Sequence, residues 1–174
     1  QFKYSTGETN ILSKIIKLRL QEQNLNYQNF INDNLSSKIG LKNTIFEFDD
    51  SGTFIGGSSV FANARDFARF GYLYLRDGQW DGETIVSKSW IDDTRKPAKN
   101  TNKMYSNKFW MPHPASPILG LPKDTYFCAG FGGQYILIIP SKDMIVVRLG
   151  ETYIEDDKVL ENLSEIISFF RDII

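Results

Sequence analysis

The chain has 174 residues, 41% hydrophobic and 24% charged, with 20 Lys and Arg against 21 Asp and Glu for a net charge of −1. That is the composition of one globular domain or a large part of one, with no basic excess for nucleic acid and no acidic tail. One cysteine excludes an internal disulfide, one histidine speaks against a zinc site, and the longest apolar runs, such as 135–139, are too short to span a bilayer.

The sequence opens on Gln1 and enters strongly patterned sequence almost at once, which reads as part of a longer protein. Ser5-Thr6-Gly7-Glu8 has the spacing of a capping box. Ile11, Leu12, Ile15, Ile16 and Leu20 then recur at helical spacing, predicting a helix over about 6–22 with those residues on its apolar face. A shorter helix is expected over about 27–36, with Phe30, Ile31 and Leu35 on one face and Gly40 closing the unit. The Gly-, Ser- and Asp-rich stretch 49–59 reads as a loop or irregular hairpin. A clear helix follows over 63–78, capped by Asn63, with Ala64, Phe67, Ala68, Gly71 and Leu75 as a face and Gly78 as its stop. Asp81-Gly82 marks a turn, and Ser87 caps a short helix around Trp90 and Ile91. Residues 96–124 read as loop, with prolines at 97, 112, 114, 117 and 122.

From there the pattern changes to strands: 126–131, 134–139 and 144–149, joined by a two-residue turn signal at Gly132-Gly133 and a second turn at 140–143. These make an antiparallel meander whose continuous apolar runs imply a sheet covered on both faces. A last apolar helix over about 157–172 is placed on one of those faces. The expected organisation is a mostly helical region over 1–125 and a strand-and-helix region over 126–174, an α/β chain of the α+β kind whose small sheet wants further strands at its edge.

Read in order, three stretches resemble the second half of the serine β-lactamase-related hydrolases, in particular the class C β-lactamase and 6-aminohexanoate-dimer hydrolase branch. They are FKYSTGETNILSKII from Phe2, GGSSVFANARDFARFGYLYLRDGQWDGETIVSKSWID from Gly56, and AGFGGQYILIIPSKDMIVVRLG from Ala129. The resemblance implies the β-lactamase/transpeptidase-like fold, an antiparallel sheet flanked by helices. It also implies acyl transfer by a serine on an amide or ester, with no metal or cofactor. The family's nucleophile comes from a Ser-x-x-Lys helix, and no serine in these 174 residues has lysine three positions on. The resemblance therefore implies a missing N-terminal segment of the same protein that carries it.

It also implies roles for particular residues. Tyr4 falls at the family's second motif, a tyrosine at a loop–helix junction that moves protons between serine and leaving group. The alternative for Tyr4 is a hydrophobic staple on the helix. Tyr27 and Tyr105 share its bare Tyr-x-Asn pattern without the flanking match, whereas Thr6 stands where the family's second motif has asparagine. Ala129–Gln134 falls at the third motif: Gly130 opens the strand to substrate, Gly132 lies beside it, and the backbone N–H of Phe131 is one donor of an oxyanion hole. The alternative there is only a tight Gly-Gly hairpin. Lys-Thr-Gly is absent, so nothing here would hold a β-lactam carboxylate, which favours an amidase or esterase. Trp110 and Tyr105 are candidates for a substrate wall, and Ser58 for the cleft rim. A Cys128–His113 thiol dyad is the weaker idea, since a cysteine inside an apolar strand is ordinarily inert. The reading from another class is a relative that keeps the fold to bind a peptide or cell-wall fragment without catalysis.

Overall fold

The computed structural model describes residues 3–113 and 121–151. The chain divides after Phe70 into two compact units, the division falling inside one helix.

In the first unit, helix α1 spans Thr6–Glu22 as expected, and the Ser5 hydroxyl accepts the N–H of Gly7 at 3.2 Å. Its buried positions are Ser13, Lys17 and Leu20. Of the apolar face expected there, Leu20 is buried, but Ile11 is 63% exposed and Leu12, Ile15 and Ile16 lie between 43% and 49%, as does neighbouring Leu18. Helical period fixed which residues share a face, but burial depends on what lies opposite, and here that is a polar loop.

Asn26 caps α2 (Tyr27–Ile31), accepting the N–H of Asn29 at 3.0 Å. A π turn (Asn32–Ser36) and α3 (Ser37–Ile39) follow, and Gly40 closes the run in the left-handed region, φ 69°. One α-helix over 27–36 was expected, with Phe30 inside. The inward stripe is Tyr27, Ile31, Leu35 and Ile39, while Phe30 is 38% exposed. Residues four apart drift around a helix of 3.6 residues per turn, and the wider π turn takes that drift back. Tyr27 meets Phe48 and Phe54 edge-on, with centroids at 5.8 and 6.2 Å, and Phe46 meets Phe54 at 5.8 Å, giving this unit an aromatic core. Phe46 ends strand β1 (Thr44–Phe46), which pairs antiparallel with β2 (Val60–Ala62). A Phe48–Phe54 bridge narrows the loop between them, the irregular hairpin the sequence predicts.

Helix α4 (Ala64–Leu75) begins with the Asp66 N–H on Asn63 Oδ1 at 2.8 Å. The Asp66 side chain is buried and accepts the Asn43 N–H at 2.6 Å and the Thr44 hydroxyl at 3.1 Å, tying β1 to the helix start.

In the second unit, α4 ends near Leu75, and β3 (Gln79–Trp80) and β4 (Glu83–Thr84) pair through a two-residue turn at Asp81-Gly82, φ 46° and 81°. Ser87 caps α5 (Lys88–Thr94). Strands β5 (Tyr126–Gly130), β6 (Gln134–Ile139) and β7 (Met144–Arg148) form the expected meander in the order β5-β6-β7. Central β6 is buried from Tyr135 to Ile139. On one face Phe127, Tyr135 and Leu137 pack with Trp110, Leu121, Ala129 and Val146. On the other lies α4, so close that a Cβ on Gly71 would stand 3.0 Å from Ile145 and 3.1 Å from Ile136. Of the predicted face of α4, Ala64 is exposed and Leu73, not anticipated, is fully buried. The helix predicted over 157–172 lies outside the described residues.

Candidate functional site

Tyr4, Thr6 and Ser58 belong to the first unit. Ser5 is extended, φ −151° and ψ 135°, so the chain enters α1 at a sharp junction with Tyr4 just outside it and Thr6 as the first helical residue. Tyr4 is 48% exposed. A staple would pair it with the fourth helical residue, which is Thr9, a polar partner for such a contact. The Gly56-Gly57 loop lies against this first turn. The Gly57 N–H donates to Asn10 Oδ1 at 3.1 Å, and a Cβ on Gly57 would sit 3.0 Å from the Thr6 carbonyl oxygen. Ser58, the next residue after Gly57, is exposed. Tyr27, the rival tyrosine, is a core residue whose phenol is pushed up by burial.

With no Ser-x-x-Lys in the sequence, a serine and a lysine brought together by folding deserve scrutiny as a substitute. Lys17, 7% exposed, donates to the Ser51 carbonyl and reaches the Ser51 hydroxyl at 3.1 Å. That hydroxyl already lies 2.7 Å from Asp49 Oδ1 and 2.9 Å from Thr53 Oγ1. The Asp49 carboxyl, fed by the Thr53 N–H and by Ser51, is held below the usual carboxylate range. An ammonium bound to a carbonyl beside a carboxylate is a donor, not a base. This cluster fastens α1 to the 49–53 turn.

The second unit holds the rest. Trp110 and Phe127 exchange N–H···O bonds of 2.8 and 2.9 Å, so the loop adds one rung to the edge of β5. Tyr105 is buried and meets Trp110 edge-on at 4.9 Å. Phe109 packs on Tyr126 at 5.3 Å and Tyr74 at 4.8 Å. Cys128 lies in β5, and burial pushes its thiol up to about 12, which removes the thiolate that a dyad would need. Strand β5 ends at Gly130, which pairs with Gln134, so the hairpin loop has three residues, Phe131, Gly132 and Gly133, rather than the two the Gly-Gly signal predicts. The added residue is Phe131, 91% exposed at the tip, with Gly132 and Gly133 at φ 70° and 79° completing the turn. Two side chains that the sequence reading passed over hold this tip: Gln134, whose amide reaches Gly132 and Gly150, and Arg148, which donates to Gly133. Their signal was faint, a polar residue opening an apolar strand and a cation closing one.

No protein-family model matches the sequence, and no curated protein does. Solved structures do. A protein assigned as a 6-aminohexanoate-dimer hydrolase from Bacillus anthracis superposes with a TM-score of 0.77 at 23% identity, covering 99% of this chain and 44% of that one. A β-lactamase from Mycobacterium bovis gives 0.70 at 14% identity, over 96% and 64%. Simvastatin synthase from Aspergillus terreus gives 0.65 at 12%, over 88% and 50%. The chain has the β-lactamase/transpeptidase-like fold, helices with an antiparallel sheet, and it spans less than two thirds of each of these structures.

Proposed function

We propose that the chain is the C-terminal part of a serine hydrolase that acts by acyl transfer on a small-molecule amide or ester. The observation that carries the reading is the likeness of nearly the whole chain to hydrolase structures, with Tyr4 at the junction into α1. In this reading a serine from a preceding segment attacks the carbonyl, and Tyr4 moves the proton from the serine to the leaving group. The Phe131 N–H receives the developing oxyanion, and losing one such donor costs ~10²–10³ in rate. The candidate substrate contacts are Thr6 and Ser58 in the first unit and, in the second, Gly130, Gly132 and Trp110 with Tyr105 packed on its ring. The absence of Lys-Thr-Gly favours amides and esters without a β-lactam carboxylate.

The partner this reading requires is the remainder of the fold. The neighbours have roughly as much chain again as is matched here, and α1 presents Ile11, Leu12, Ile15, Ile16 and Leu18 with no cover among the described residues. An aliphatic stripe of that size is ordinarily buried, and we assign it to packing against that preceding segment.

The test is fluorophosphonate labelling of the full-length protein, followed by peptide mapping. The reading expects one adduct, on a serine followed three residues later by lysine. A full-length protein that takes no label has the fold without the chemistry, as a binding module would.

A further inference from the structure

The hairpin tip at 131–133 poses a physical problem. Two of its three residues are glycine, and the third, Phe131, is 91% exposed, so side-chain packing does little to fix the loop. A backbone N–H that stabilises an oxyanion is effective only if its direction is set before the charge appears. A free glycine-rich loop would have to be ordered at that moment, at an entropic cost.

The structure supplies the missing constraint from β6 and from β7 beside it. Gln134 Nε2 donates to the Gly150 carbonyl at 2.6 Å and to the Gly132 carbonyl at 3.3 Å, and Gln134 Oε1 accepts the Gly150 N–H at 3.0 Å. Arg148 Nη1 donates to the Gly133 carbonyl at 2.5 Å and lies 3.5 Å from the Gly150 carbonyl. Two successive tip carbonyls are thus held by side chains rooted in β6 and β7. Gly150, just past β7, is held at both its N–H and its carbonyl. Only a carboxamide can donate and accept in this way without charge. A glutamate would lose both donations and bring a negative charge to where negative charge develops.

We propose that Gln134, with Arg148, is a positioning residue that sets the orientation of the Phe131 N–H for the acyl-transfer step. The inference rests on the serine-hydrolase reading given above. It names a cause for the glutamine that opens β6, which a simple hairpin does not require.

The experiment uses the full-length protein with p-nitrophenyl acetate and its thiono analogue, in wild type, Gln134→Met and Arg148→Met. Sulfur is larger and a weaker hydrogen-bond acceptor, so a pre-oriented N–H discriminates against the thionoester and a loosened one does not. The expected result for Gln134→Met is a kcat lower by ~10–100-fold with KM nearly unchanged, and an ester-to-thionoester ratio of kcat/KM that falls toward the uncatalysed ratio. Arg148→Met moves the same way by less. The ratio does not depend on the concentration of active enzyme, so it can be read even where part of the variant misfolds. An unchanged ratio in Gln134→Met overturns the positioning role while the hydrolase reading stands. A wild type that turns over neither ester and takes no fluorophosphonate overturns both.

Discussion

Cys128 shows how one side chain can make stability depend on pH while contributing no chemistry. Burial raises its thiol from an ordinary 9.0 to about 12. The folded state therefore keeps a proton that the unfolded chain gives up, and stability falls as the pH rises. The contribution is complete below pH 9 and is lost as the pH climbs toward about 12. Tyr74, half-buried and likewise raised to about 12, acts in the same sense. Urea denaturation at pH 8 to 11 should show stability dropping across the series, and Cys128→Ala should lower its slope whatever it does to the absolute value. An identical slope in the variant would show that the thiol is not the group responsible. At this scale the sequence was readable where chemistry is local. Ser5, Asn63 and Ser87 cap helices, and Asp81-Gly82 turns a hairpin, because each needs only its near neighbours. Lys17 and Gln134 were not readable, because their partners lie 34 and 16 residues away.

Among the elements, α4 carries the tightest constraint. Its approach to the sheet is set by Gly71, where an added Cβ would meet Ile145 and Ile136 at 3.0 and 3.1 Å. Gly71→Ala removes a helix-interior glycine, which by itself would gain roughly 0.5–1 kcal/mol. The added methyl group presses on two β-branched side chains in a covered face, and overpacking costs about 1–3 kcal/mol. The expected balance is a net loss for Gly71→Ala and a larger one for Gly71→Leu, read as successive falls in the denaturation midpoint. A Gly71→Ala variant more stable than wild type would mean that the helix can lift from the sheet. The strand pattern made the meander legible, but the burial of α1 was not. Period ranks the faces of a helix, and its partner decides which face is covered. The π turn at Asn32–Ser36 was hidden for a related reason: it serves to keep Tyr27 and Ile39 on one side, and that need appears only once the aromatic core is in place.

At the scale of the whole molecule, the chain has the β-lactamase/transpeptidase-like fold. It supplies a tyrosine at a helix entry and a braced glycine hairpin, and no Ser-x-x-Lys in any of its 174 residues. The resemblance visible in three sequence stretches agrees with the fold of the hydrolase structures, although no family model detects it. The central claim is that Tyr4 moves the proton during acylation. The direct measurement is the rate of fluorophosphonate labelling of the full-length protein, with and without Tyr4→Phe. The substitution removes one hydroxyl from a half-exposed ring, so the fold should be little disturbed. The account predicts labelling slowed ~100-fold or more. Equal rates in the two proteins would contradict it and leave Tyr4 as an aromatic residue packed at a helix end.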